Sequence, residues 1–159
     1  MKKVIILLFV FGLFLPLSTC LDNWYSRDLG TVNNAEVNCG SSILYSEAEI
    51  ESAFEVVITH FRSSFGGCDL RRLWYDEERS DNFILAYKSF TDEDTIEISK
   101  LPHESGNTIV ILSDVYIYAV GGHEAFSPDS TYTDWYWVLT RNSENESWSI
   151  LLYSMGSKS

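Results

Sequence analysis

The stretch Tyr45-Ser46-Glu47-Ala48-Glu49-Ile50-Glu51-Ser52-Ala53-Phe54-Glu55-Val56-Val57-Ile58-Thr59-His60-Phe61-Arg62-Ser63-Ser64-Phe65-Gly66-Gly67 decides how the rest of the chain is read. Ser46 and Glu49 stand at capping-box spacing, and Tyr45 and Ile50 occupy the positions of a hydrophobic staple, so a helix should begin here. Ile50, Phe54, Val57, Ile58, Phe61 and Phe65 recur every three or four residues and form one apolar stripe. Gly66-Gly67 supplies the stop. The pattern predicts an amphipathic helix over residues 47–65.

Downstream, Leu70, Leu73 and Trp74 predict a short second helix whose other face is Arg71, Arg72, Asp76, Glu77 and Glu78. Residues 83–90 fit helix or strand. The remainder reads as β: Asp94 to Ser99 and Thr108 to Tyr118 are rich in β-branched and aromatic residues, with Pro102 and Gly106 marking a turn between them. Tyr132 to Thr140 sets Trp135, Trp137 and Leu139 against Tyr136 and Val138, and Trp148 to Tyr153 pairs with it across the polar loop 142–147. The expectation is an α+β domain in which a long N-terminal helix packs on a curved antiparallel β-sheet.

Upstream lies a leader-like segment. Met1-Lys2-Lys3 precedes an uncharged run from Val4 to Leu17, the basic head and apolar core of a secretory signal. A membrane-spanning helix needs about 20 apolar residues, and this run is shorter and stops at Pro16. Leu17-Ser18-Thr19-Cys20 resembles the lipobox of bacterial lipoproteins, with Thr19 standing where Gly, Ala or Ser is usual. That resemblance implies diacylation of Cys20 and attachment to a membrane; ordinary cleavage nearby would instead release a secreted protein. Residues 1–19 are read as signal peptide, 20–42 as a polar tether with Trp24 and Tyr25 in it, and 43–159 as a single domain.

Removing residues 1–19 takes away two basic and no acidic residues, leaving nine basic against 23 acidic and a net charge of −14. Such a surface repels phosphate backbones and anionic lipid heads. Nucleic acid is therefore excluded as a partner, and membrane contact is left to the anchor. Cys39 and Cys68 are a candidate disulfide in an exported chain. The helix between them is about 28 Å long at 1.5 Å per residue, while residues 39–46 reach at most about 24 Å fully extended. A bridge forms only if that segment runs back along the helix.

The helix over 47–65, the segment Leu70-Arg71-Arg72-Leu73-Trp74-Tyr75-Asp76-Glu77 and the closing hairpin are similar to the cystatin-like, nuclear-transport-factor-2-like superfamily. The hairpin reads Asp134-Trp135-Tyr136-Trp137-Val138-Leu139-Thr140-Arg141, then Trp148-Ser149-Ile150 and Gly156. It resembles the ending of uncharacterised lipoproteins and secreted proteins of Gram-positive bacteria. The resemblance implies a cone-shaped sheet with a ligand pocket at its mouth, in a superfamily that holds isomerases, dehydratases and proteins without known catalysis.

Chemistry-bearing motifs are sparse. His60, His103 and His123 have no metal-ligand spacing, and no cofactor fingerprint occurs. Residues 121–134 form a long connection in which His123, Glu124, Asp129 and Asp134 could serve as acid and base or as oxygen ligands, yet the calcium-loop consensus and a serine nucleophile motif are absent. A polar loop on an acidic protein would look the same. Tyr118, His123, Asp134 and Trp135 are the candidate ligand-binding residues at the cone mouth, although aromatics at alternating positions are also what a core needs. Asn145-Glu146-Ser147 matches a glycosylation sequon, relevant only in a eukaryote. The leading expectation is a non-enzymatic exported domain that binds a small molecule or protein. The alternative is an isomerase- or hydrolase-like enzyme using a carboxylate or His123.

Overall fold

The computed structural model describes residues 29–90, 106–119, 126–154 and 157–158. Ser46 is extended and its hydroxyl accepts the Glu49 N–H, while the Glu49 carboxylate accepts the Ser46 N–H at 2.8 Å. These reciprocal bonds start α1 (Glu47–Ser64). Strand β1 (Glu36–Asn38) precedes it; β2 (Cys68–Tyr75), α2 (Glu77–Phe90), β3 (Thr108–Ile117), β4 (Ser130–Thr140), β5 (Ser149–Ser154) and β6 (Ser157–Lys158) follow.

The strands lie in the order β1-β2-β3-β4-β5, and β6 pairs with β4 beyond the end of β5. β1 runs parallel to β2, and every other pairing is antiparallel. One face of the sheet takes α1, whose Ile50, Ala53, Phe54, Val57 and Phe61 are buried against Leu70, Leu73, Ile111, Trp135, Trp137 and Leu139. Each such side chain contributes about 1.5–3 kcal/mol by leaving water. The other face takes α2 through Phe83 and Ile84, which pack on Val110 and Val138. Where β2 ends at Tyr75, Ser80 of α2 accepts the Val110 N–H at 3.1 Å, so the helix takes over from the strand as partner to β3.

This is not the architecture expected from the sequence. The sheet is mixed, the first helix sits between two strands of it, and a second helix covers the opposite face. The chain is therefore not a long N-terminal helix on an antiparallel cone, and the described residues form no cone mouth. Residues 70–74 are strand, not helix. The bulge at Arg71, where the register shifts between Leu70 and Arg72, puts Leu70 and Leu73 on the same face and so imitates helical spacing. The second helix instead includes residues 83–90.

The tether also ends earlier than expected. Thr31 bridges to Asp69, and Glu36, Val37 and Asn38 pair with Arg72, Leu73 and Trp74. Residues 29–42 thus belong to the domain rather than to a linker. Gly30 lies so close to α1 that an added Cβ would fall 2.4 Å from the Phe61 carbonyl oxygen. The expected signal peptide, Cys20, Trp24, Tyr25, the strand over 94–99, His103 and His123 lie outside the described residues. No described helix is long and apolar enough to cross a membrane.

The docking of β1 decides the cysteines. Asn38 is level with Trp74, so Cys39 stands one step further, beside the end of β2, while Cys68 begins that strand. At about 3.3 Å per residue the two are about 20 Å apart, far beyond the 4.4–6.8 Å that a disulfide spans between Cα atoms. Both are free thiols.

Candidate functional site

On the face opposite α1, two bulges flank Asp114. Arg71 is the extra residue on β2, and the register between β3 and β4 shifts again between Ser113 and Val115. Asp134, in this second irregularity, has φ 60°, a left-handed conformation that a short polar side chain tolerates better than most. Bulges kink a strand and re-aim its side chains. Here they gather charged groups from three strands.

The Asp114 carboxylate, only 13% exposed, accepts the Asp134 N–H at 3.1 Å and pairs with Arg72 at 3.5 Å. Asp134 pairs with Arg79 of α2 at 2.9 Å, and Arg79 also donates to the Tyr136 hydroxyl at 3.3 Å. Toward the other end Arg71 pairs with Asp69 at 3.1 Å, and the Thr31 hydroxyl donates to Asp69 at 2.6 Å. The guanidinium of Arg72 lies 4.2 Å from the Trp74 ring centre and that of Arg71 lies 5.1 Å from Tyr116. Tyr116 donates to Asp129, which raises its pKa above the ordinary tyrosine value.

Part of this arrangement serves stability, since the Asp69 and Asp114 carboxylates are only 10% and 13% exposed and need partners. The arginines themselves stay 37–49% exposed, where exposed cation–π contacts are worth about 0.5–1 kcal/mol. Yet three of the nine basic residues that follow position 19 are concentrated here, in a chain that is otherwise strongly acidic. Trp, Tyr and Arg are the residue types that dominate protein interfaces.

The expected ligand residues do not form one site. Tyr118 is on this face, exposed, with its ring edge-on to Tyr116 at 5.3 Å. Asp134 is at the centre of it. Trp135 points the other way, as strand alternation requires; it is fully buried, with Phe65 and Phe126 each 5.5 Å away. Among the described residues, Asp114 is held by Arg72 and the Asp134 N–H, and Asp134 by Arg79; His123 lies outside them. Arg71, Arg72 and Arg79 were missed as site residues because the helical reading of 70–78 treated Arg71 and Arg72 as a solvated helix face.

A further cluster lies at the start of α1, where the Cys39 thiol and the Glu47 and Glu51 carboxylates have ligand atoms within 4.8 Å of one another. Desolvation and both carboxylates raise the thiol pKa, which disfavours the thiolate that a metal would need. Cys68 is inert for a simpler reason, since burial pushes its pKa up to about 11. No protein-family model, curated protein or solved structure matches the chain.

Proposed function

We propose that this chain is an exported, lipid-anchored binding domain that docks a folded protein partner on the part of the β2–β3–β4 face that α2 leaves uncovered. The observation that carries the reading is the ladder Arg71–Asp69, Arg72–Asp114 and Arg79–Asp134, interleaved with Trp74, Tyr116 and Tyr136. Its signs alternate, which favours a partner with a charge pattern of its own over a simple polyanion or polycation. A sugar polymer would need free ring faces, but Arg72 covers Trp74, Arg71 covers Tyr116 and Phe83 stacks on Tyr136 at 4.5 Å. Support for export and anchoring is the Met1–Leu17 pattern and the lipobox-like Leu17–Cys20. The enzyme alternative has less support, because both strand aspartates are already engaged by cations.

The test is capture of an extracytoplasmic partner by the full chain, compared with an Arg72→Ala/Trp74→Ala variant whose unfolding midpoint is first checked. Losing two interface anchors should weaken capture by about 30-fold or more. Equal capture by both proteins, or no specific capture by the parent, refutes the reading.

A further inference from the structure

On the opposite side of the molecule a second surface is built. α1 and β5 do not close fully against each other, and an open cleft of about 700 Å³ runs between them, lined by Glu55, Val56 and His60 on the helix and Ile150, Leu152 and Tyr153 on the strand. Leu151 lines it as well, so four consecutive residues of β5 border one cleft. β5 is the last strand of the sheet, and among the described residues only β4 pairs with it. Behind this lining the His60 ring packs 5.6 Å from Tyr153 and 6.1 Å from Trp137, with its Nε2 buried.

We propose that this cleft binds a short, extended, cationic segment of a partner protein, laid along the β5 edge. Edge backbone plus an adjoining helix is the geometry in which a peptide gains main-chain hydrogen bonds from the strand and side-chain pockets from the helix. The cleft offers apolar surface from Val56 and Ile150 and a carboxylate from Glu55. No lysine or arginine lines it, and the domain around it carries the net charge of −14 left after position 19, so basic side chains flanking an apolar one are attracted and acidic ones repelled.

A second copy of the chain is a poor occupant on two counts. It brings the same negative charge, and the register shift between Val138 and Leu139, which leaves Leu151 unpaired, bends the edge that a long flat strand would need. A short segment spans only the part next to the bulge.

The test uses the full chain and a synthetic peptide of alternating valine and lysine, followed by the amide resonances of the protein. Saturable shifts should be confined to residues 55–63 and 150–153. A valine–glutamate peptide should bind more weakly by about 10-fold or more. Thr59→Trp, which fills the cleft from an exposed helix position, should abolish the shifts, and Arg72→Ala on the opposite face should leave them intact. Three results would overturn the proposal: no saturable shift, shifts spread over the acidic surface and indifferent to Thr59→Trp, or a cleft occupied by a second copy in a concentration-dependent dimer.

Discussion

Replacing Arg141 by Met isolates one buried charge. The Arg141 side chain is 3% exposed. Its Nη2 donates to Glu49 at 2.7 Å and to the Gly106 carbonyl at 2.7 Å; Nε donates to the same carbonyl at 3.1 Å and Nη1 to the Glu144 carbonyl at 3.2 Å. The guanidinium lies 4.2 Å from the Trp148 ring centre, and Trp148 in turn donates to the Glu49 carbonyl at 3.1 Å. One residue thereby joins the start of α1, the turn before β3, the end of β4 and the loop before β5. Met keeps the packing on Trp148 and deletes the charge and all four bonds, so the loss should be about 3–5 kcal/mol, that of breaking a buried pair. Against a domain stability of about 5–15 kcal/mol, this lowers Tm by about 10–20 °C.

Urea unfolding followed by tryptophan fluorescence measures the loss, and pH gives a second check. The Ser46 N–H and hydroxyl, then Arg141, hold the Glu49 carboxyl at about 2 against an ordinary 4.5. A depressed carboxyl contributes stability that is fully present above pH 4.5 and is lost as pH falls toward 2. After discounting for partial exposure, that contribution is about 1–2 kcal/mol. Glu49→Gln should flatten the stability slope in this window. Arg141→Met should flatten it only in part, because the Ser46 bonds remain. A loss below about 1 kcal/mol for Arg141→Met, or an unchanged acid slope in Glu49→Gln, refutes the reasoning.

Trp137 is fully buried and its Nε1 donates to Ser113 at 2.8 Å, so Trp137→Ala should cost about 3–5 kcal/mol by urea titration. Gly30→Ala forces a methyl group against Phe61 and should destabilise by about 1–3 kcal/mol, with faster proteolysis ahead of β1 as the visible sign. Non-reducing peptide mapping should find Cys39 and Cys68 unlinked, with Cys68 alkylated only on unfolding; a linked 39–68 peptide contradicts the β1 register. Mass spectrometry of the mature protein should find a diacylated Cys20 at its N-terminus, and an unmodified Cys20 or cleavage elsewhere removes the anchor from the proposed function.

The sequence makes some elements legible and hides others for physical reasons. Strands β3 and β4 were readable because their β-branched and aromatic residues alternate between two covered faces, and β5 because a short polar loop returns it to β4. The start of α1 was readable because a capping box is local. β2 was not, because a bulge breaks the two-residue period from which a strand is recognised. β1 had no apolar pattern to find, since its three residues are all exposed and backbone pairing alone holds them. The candidate site divides in the same way. Asp134 was legible as a candidate, but its partner Arg79, and the Arg72–Asp114 pair beside it, come from elements distant in sequence, and only the fold brings them together.

The docking of residues 30–38 along β2 has a mechanical consequence. Tension that reaches Gly30 and Thr31 meets three backbone bonds: Gly30 N–H to the Arg62 carbonyl at 3.1 Å, Thr31 N–H to the Cys68 carbonyl at 3.0 Å and Leu70 N–H to the Thr31 carbonyl at 2.8 Å. Force directed along the β1 axis loads these bonds and the β1–β2 ladder together in shear, whereas force across the axis opens them one at a time. The clasp at Gly30 is then the first to yield in the second geometry, and the direction of tension, more than its size, sets how long the domain holds.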